Sequence, residues 1–229
     1  MAGTAKTLTD YEKYIRTEEL LALQKPLEAC ANAEEPLFQL MHQAAELWMK
    51  QILFEVGRIC RFMDEDKPHE AIHLFHRTAL IWKLLVEQIE ITETMAPADY
   101  HVLRVKSLGR GSGQQSPGFN RLLEVPPDLW KSFTALLARR KVTAMEVFRE
   151  PHGPHHELFQ LTQGMMEYDE RFVKWRYVHL KLVERVIGLR VKSLQDVPAT
   201  ALIPGTQSHL FPELWEMVPN LTDEYRPSY

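Results

Sequence analysis

Three histidine-bearing stretches of this 229-residue chain combine residue types and spacings that could support chemistry. In the first, Phe172, Trp175, His179, Leu182 and Val186 recur at helical spacing, so His179 lies in the middle of an apolar stripe. Two readings stand side by side. His179 is a core histidine whose ring nitrogens find hydrogen-bond partners, or it is the axial ligand of a flat apolar cofactor, since haem iron is held by a histidine nitrogen inside a hydrophobic pocket. In the second, Phe38, His42, Ala45 and Met49 share a helix face. An aromatic ring beside a histidine, with small side chains leaving room, suits a lined pocket; the competing reading is a histidine bonded to Glu46 one turn on. In the third, His69-Glu70-Ala71-Ile72-His73 matches H-E-x-x-H, the zinc-hydrolase pattern, and His76 adds a third imidazole. Pro68 places that motif in the first turn of its helix beside the acidic run 64–66, whereas a catalytic zinc motif wants apolar flanks and a further ligand. A solvated face is the alternative there. His152, His155 and His156 fall in a Pro/Gly turn and read as solvent-facing. Tyr100 and Arg104, one turn apart, form a pair that could hold a carboxylate through the two-pronged guanidinium, or anchor a surface ion pair.

The elements that must position these residues are helical. A helix is predicted from Tyr11 to Gln24, capped by Thr9 or Asp10 and stopped by Pro26. A long one covers 35–63, with Pro36 in its first turn and Leu37, Leu40, Met41, Ala44, Ala45, Trp48, Ile52, Val56 and Ile59 in helical period. A third runs from Pro68 to Thr94 with Ile72, Phe75, Ala79, Trp82, Leu84, Leu85 and Ile89. A short helix spans 97–104, and the Gly/Ser-rich stretch 108–119 reads as a loop. Further helices are predicted from Pro127 to Phe148 and from His156 to Leu194, with Gly188 an end or a kink. The tail from Pro198 holds five prolines and reads as loop with short helical pieces. Alternation of strand type is absent over any useful length. The expected architecture is all-α, a bundle of long helices.

Composition bounds the partners. Length and a hydrophobic fraction of 45% fit one domain, 1–229, with a real core. The net charge of −4 and the lack of a basic tract argue against nucleic acid. No apolar run reaches the ~18 residues of a membrane span, and the N-terminal stretch lacks an apolar signal core. Cys30 and Cys60 are expected to be free thiols in a cytoplasmic protein.

Read in order, these segments resemble the tryptophan 2,3-dioxygenase family, all-α haem enzymes that insert oxygen into indole rings. Tyr11-x-x-Tyr14-Ile15 with Leu20-Leu21-x-x-Gln24 is similar to the family's opening helix. Phe38-x-x-x-His42-Gln43-x-x-Glu46-Leu47-Trp48-x-Lys50 is similar to its distal-pocket segment. Thr94-Met95-x-Pro97, Tyr100-x-x-x-Arg104, Ser112-Gly113-x-Gln115-Ser116 and Leu122-Leu123-Glu124 follow in order. Trp175-Arg176-x-x-His179-x-x-x-Val183-x-Arg185-x-Ile187-Gly188 resembles the proximal helix, and Phe211-Pro212-Glu213-Leu214-Trp215 the tail. The resemblance implies a haem-enclosing bundle with haem b. It implies His179 as the axial iron ligand with Trp175, Val183 and Phe38 around the cofactor, and Phe38 and His42 on the distal side, His42 meeting an indole N–H. Tyr100 and Arg104 would face the substrate, with Arg104 on a carboxylate, and Ser112 and Ser193 would contribute to its binding. Tyr11, Tyr14 and Ile15, in the 1–25 segment, would close the pocket of a neighbouring subunit in a homotetramer or dimer.

Two departures bear on the substrate. Where the family carries G-T-G-G-S-x-G, gripping the ammonium and carboxylate of tryptophan, this chain has Lys192-Ser193-Leu194-Gln195-Asp196-Val197-Pro198, with Ser193 the one chemical relative. S-G-F-Q-S becomes Ser112-Gly113-Gln114-Gln115-Ser116, with an extra residue in 117–120, and the 125–160 region is short. The implied activity is oxygenation of an indole or indole-derived substrate, other than plain tryptophan, by O2 at haem. Beside it stand a haem monooxygenase or peroxygenase acting on an aromatic, a zinc hydrolase on His69, Glu70 and His73, and a non-catalytic haem sensor.

Overall fold

The computed structural model describes residues 7–194 and 196–226. Among them the regular elements are all helical. In chain order they are α1 (Asp10–Ile15), α2 (Thr17–Leu21), α3 (Glu35–Asp64), α4 (Pro68–Thr92), α5 (Pro97–Lys106), α6 (Pro117–Glu124), α7 (Pro126–Arg140), α8 (Ala144–Arg149), α9 (His156–Val186) and α10 (Pro212–Glu224). Short 3-10 turns occupy Leu27–Ala29, Gly113–Gln115, Ala199–Leu202 and Pro204–Thr206.

The long helices α3, α4 and α9 form the centre, with α4 packed along both of the others. Their facing stripes supply the core: Met49, Ile52, Val56, Ile59 and Met63 from α3, Leu74, Phe75, Trp82 and Leu85 from α4, and Leu158, Leu161, Met165, Tyr168 and Phe172 from α9. Aromatic edge-to-face contacts lock the α4–α9 seam, with Trp82 5.0 Å from Phe172 and 6.2 Å from Tyr168. A buried carboxylate fastens α3 to α4. Glu55 takes hydrogen bonds from Arg77 at 2.7 Å, Arg58 at 2.9 Å and Gln51 at 2.8 Å. Burial alone would raise its pKa, but these donors hold it below the ordinary value.

Several expectations need correction. The stretch 108–119, read as a loop, gives way to α6 at Pro117, and the tail from Pro198 carries α10, a helix of 13 residues. The single helix predicted from Tyr11 to Gln24 is two short ones, broken at Arg16, which adopts a left-handed conformation at φ 55°. There the Arg16 N–H and the Thr17 hydroxyl both bond the Glu12 carbonyl, ending the first helix. Thr9 is the N-cap, in a capping box with Glu12. The helix predicted over 127–148 also divides. Lys141 turns left-handed at φ 54° and Thr143 starts α8 with its own capping box to Glu146. The T-x-x-E spacing was present in the sequence, and the unbroken apolar period obscured it. Finally, the α3 stripe is buried only in its second half. Leu40 and Trp48 lie exposed at 43% and 37%, because the buried apolar positions of α3 begin only at Met49, where the helix meets the core. Gly188 ends α9, at φ +84°.

Candidate functional site

Four elements meet around the first turns of α3. The first turns of α3 carry Phe38 and His42, with ring centroids 4.1 Å apart. The last turns of α9 carry Trp175, His179 and Val183. Between α4 and the Gly/Ser-rich stretch, α5 brings the Tyr100 ring to 6.1 Å from Phe38. The turn after α9 supplies the fourth side, where Arg104 Nη2 donates to the Lys192 carbonyl at 2.8 Å. The segment before α3 threads these together. The Lys25 N–H donates to Gln39 Oε1 at 2.8 Å, Gln24 Nε2 to Gln43 Oε1 at 2.7 Å, and Asn32 Nδ2 to the Asp99 carbonyl at 3.1 Å.

The two histidines differ in surroundings. His42 Nδ1 lies 2.7 Å from the Phe38 carbonyl oxygen. A carbonyl only accepts, so Nδ1 carries the proton and Nε2 presents a lone pair. The His42 side chain is exposed, and the partial desolvation it does experience lowers its pKa against the opposing pull of the Phe38 carbonyl and Glu46. His179 is half-buried and stacks on Trp175 with centroids 5.3 Å apart and planes 8° from parallel. Desolvation first, and the nearby His42 second, push its pKa down to about 4. Two neutral imidazoles on α3 and α9 therefore lie within electrostatic reach of each other. Among the described residues no hydrogen bond to the His179 ring is present, and the half-buried ring lies against Trp175. A neutral ring with an uncommitted lone pair, set among Trp175 and partly buried aliphatic side chains, is the donor chemistry that haem iron takes.

Behind His179 stands an aromatic support that sequence reasoning missed. Phe119 of α6 lies 5.1 Å from Trp175 and stacks on Phe172 at 5.7 Å, while Trp82 lies 6.1 Å from Trp175. Phe119 is held there by a clasp. Glu46 accepts from the Ser116 hydroxyl and from the Gly118 N–H at 3.0 Å, and Ser116 Oγ in turn caps the Phe119 N–H at 3.1 Å. Glu46 thus ties α3 to α6, and the expectation that it bonds His42 is set aside. A Cβ on Gly118 would come within 2.7 Å of Glu46 Oε2 and 2.9 Å of Met49 Cβ. These partners are some 70 residues apart, and no local pattern signals them.

The other predicted residues fall into two groups. Ser112 caps the Gly113–Gln115 turn in a capping box with Gln115, and Ser193 accepts the Val197 N–H at 3.3 Å, so both hydroxyls shape the two loops at the rim. Burial raises the Tyr100 pKa, with Arg104 pulling the other way, and the phenol stays protonated at neutral pH. Tyr11, Tyr14 and Ile15 are not brought to this site within the chain. They are exposed at 69%, 87% and 36%, and Leu21, Leu23 and Leu27 continue the exposed apolar surface. His69, Glu70, His73 and His76 all project to solvent from the start of α4, and among the described residues no three His, Cys, Asp or Glu side chains gather to hold a metal ion. The zinc reading therefore lacks its site. His152 and His156 are exposed, as expected, while His155 is half-buried. Both cysteines are free thiols. Among the described residues no helix is long and apolar enough to cross a membrane.

The fold is thus an all-α bundle that brings two neutral histidines, one stacked on a tryptophan, within electrostatic reach of each other from α3 and α9. The family model for tryptophan 2,3-dioxygenase matches residues 2–126, and the chain belongs to that family, the haem oxidoreductases that incorporate oxygen from O2. It is 27% identical to the tryptophan 2,3-dioxygenase of Myxococcus xanthus, with 93% of this chain and 90% of that protein covered. The proteins of the same name from Herpetosiphon aurantiacus and Caulobacter vibrioides are 28% and 29% identical, each over 90% of this chain and 95% and 96% of their own lengths.

Proposed function

We propose that this protein oxygenates the indole ring of a substrate held between His42 and Arg104, with haem b bound through His179. The observation that carries the reading is the pairing of two neutral imidazoles with different commitments: His42 fixed by Phe38 as an acceptor, and His179 stacked on Trp175 with its lone pair uncommitted. When bound, haem supplies the activation of O2. The remaining roles belong to the chain. His42 Nε2 accepts the indole N–H and orients the ring, and it remains neutral at physiological pH because the cleft disfavours its cation. Phe38 packs on the same ring. Tyr100 and Val183 wall the pocket, and Ser112 and Ser193 hold the two rim loops against the substrate. Arg104 gives one N–H to Lys192 and keeps a two-pronged edge for a carboxylate. Tyr11, Tyr14 and Ile15 close the pocket of a second copy, which accounts for their exposure in a single chain; the assembly is a homo-oligomer.

The replacement of the glycine-rich grip by Lys192–Pro198 pointed to a substrate other than tryptophan. The open edge of Arg104 favours an indole that carries a carboxylate, and tryptophan, the substrate in its relatives' names, is within that class. The direct test loads the purified protein with haem, records the Soret band and incubates it with O2, reductant and a panel of indoles. A product heavier by two oxygens with an opened ring supports the dioxygenase reading. A gain of one oxygen instead establishes a monooxygenase, and absence of a Soret band overturns haem chemistry altogether.

A further inference from the structure

We infer that the turn following α9 acts as a positioning element for Arg104, holding its guanidinium in place for a substrate carboxylate. This rests on the pocket reading above. Arg104 and Lys192 are 88 positions apart, and the bond from Arg104 Nη2 to the Lys192 carbonyl joins α5 to this turn.

The Lys192 carbonyl is itself held. Lys192 pairs with Pro198 as an antiparallel bridge. On either side of it the Ser193 N–H donates to the Val197 carbonyl at 2.8 Å and the Ala199 N–H to the Val191 carbonyl at 3.1 Å. Asp196 sits left-handed at φ 62°, its N–H bonded to the Ser193 carbonyl at 3.0 Å, and its carboxylate meets the Lys192 ammonium at 3.0 Å. The carbonyl that receives Arg104 is therefore part of a pinned ladder. A guanidinium offers two bidentate edges, and one Nη2 hydrogen committed to this carbonyl leaves the other edge complete. The bond also removes rotational freedom that a free arginine would lose on binding an anion. A glycine-rich loop grips a substrate directly; this turn grips the arginine.

The test uses the haem-loaded full chain and optical titration with two probes of matched ring, indole-3-propionate and 3-ethylindole. The wild type is expected to bind the carboxylate probe at least tenfold more tightly, and Arg104→Met to erase that preference. Asp196→Pro cannot adopt a positive φ and loses the N–H bond, so it is expected to reduce the preference severalfold, whereas Asp196→Gly, which keeps the backbone shape, retains it. In the Arg104→Met background Asp196→Pro is expected to change nothing further. A merely structural role would move both probes together. Should Asp196→Pro fail to load haem, Ala199→Pro removes one stem hydrogen bond and takes its place. An unchanged preference in these proline variants, alongside its loss in Arg104→Met, overturns the positioning role. A wild type that binds haem yet shows no preference also overturns it, while a wild type without a Soret band removes the pocket reading on which it stands.

Discussion

The Nδ1 of His42 donates to the carbonyl oxygen of Phe38, 2.7 Å away and one turn back along α3. This single bond fixes the tautomer, leaves Nε2 with its lone pair and links the orientation of the ring to the helix that carries it. Its pKa lies below the ordinary histidine value because desolvation outweighs the Phe38 carbonyl and Glu46.

From this follows a pH dependence. Above that lowered pKa the ring is neutral and accepts; as pH falls through it, protonation removes the acceptor. Turnover at saturating O2 is expected to hold level through neutral pH and fall on the acid side with a midpoint below 6.5. His42→Ala is expected to keep the Soret band, lose about 10²-fold in rate and lose this acid limb. A limb that persists in the variant assigns the titration to another group.

His179→Ala is expected to abolish stable haem binding, and His179→Gly to regain a Soret band when imidazole is supplied. Full haem retention in His179→Ala would remove it as the iron ligand. The same residue gives the apoprotein a stability signature. Its folded pKa of about 4 lies below its unfolded value near 6.5, so between these values the unfolded chain binds the extra proton. Stability is complete above about pH 6.5 and is lost as pH falls toward 4, by roughly 1–3 kcal/mol for this one partly buried site. Urea titrations of apoprotein and of His179→Phe are expected to diverge across that window.

Gly118→Ala places a methyl against Glu46 Oε2 and Met49 Cβ. Neither can retreat freely, since Glu46 holds Ser116 and Met49 is buried. The cost is expected to be about 1–3 kcal/mol, read as a lower denaturant midpoint. Phe119 shifts with the clasp, so haem affinity falls as well. A stability loss with unaltered haem affinity would separate the clasp from the support of Trp175.

The exposed apolar surface of α1 and α2 predicts that removing residues 1–21 leaves the α3–α4–α9 core folded but changes assembly. Analytical ultracentrifugation is expected to show smaller species, with far-UV helicity reduced only by the missing segment. In mixtures, Tyr14→Ser chains with intact His179 are expected to regain activity when combined with His179→Ala chains carrying native Tyr14, because each pocket then draws on two copies. No complementation would place Tyr14 outside the neighbouring site.

The helical class, the three long helices and the order of the histidine-bearing segments were legible in the sequence. Helical period and capping act within a few residues, and Phe38/His42 and Trp175/His179 are each one turn apart on their own helix. What only the tertiary structure decided involves partners far apart in the chain. The Glu46–Ser116–Gly118 clasp, the Phe119 support behind Trp175 and the Arg104–Lys192 bond join residues about 55–90 positions apart, and no local periodicity encodes such pairings. Burial likewise separated one histidine motif from another. His69, Glu70 and His73 had the better textual match to a metal site, but their helix turns them to solvent, whereas His179 is half-buried against Trp175 and desolvation keeps it neutral. Sequence spacing places side chains on a common helix face; the packing of α3, α4 and α9 sets which face meets water and which meets another helix, and desolvation then sets the proton affinity of what it carries.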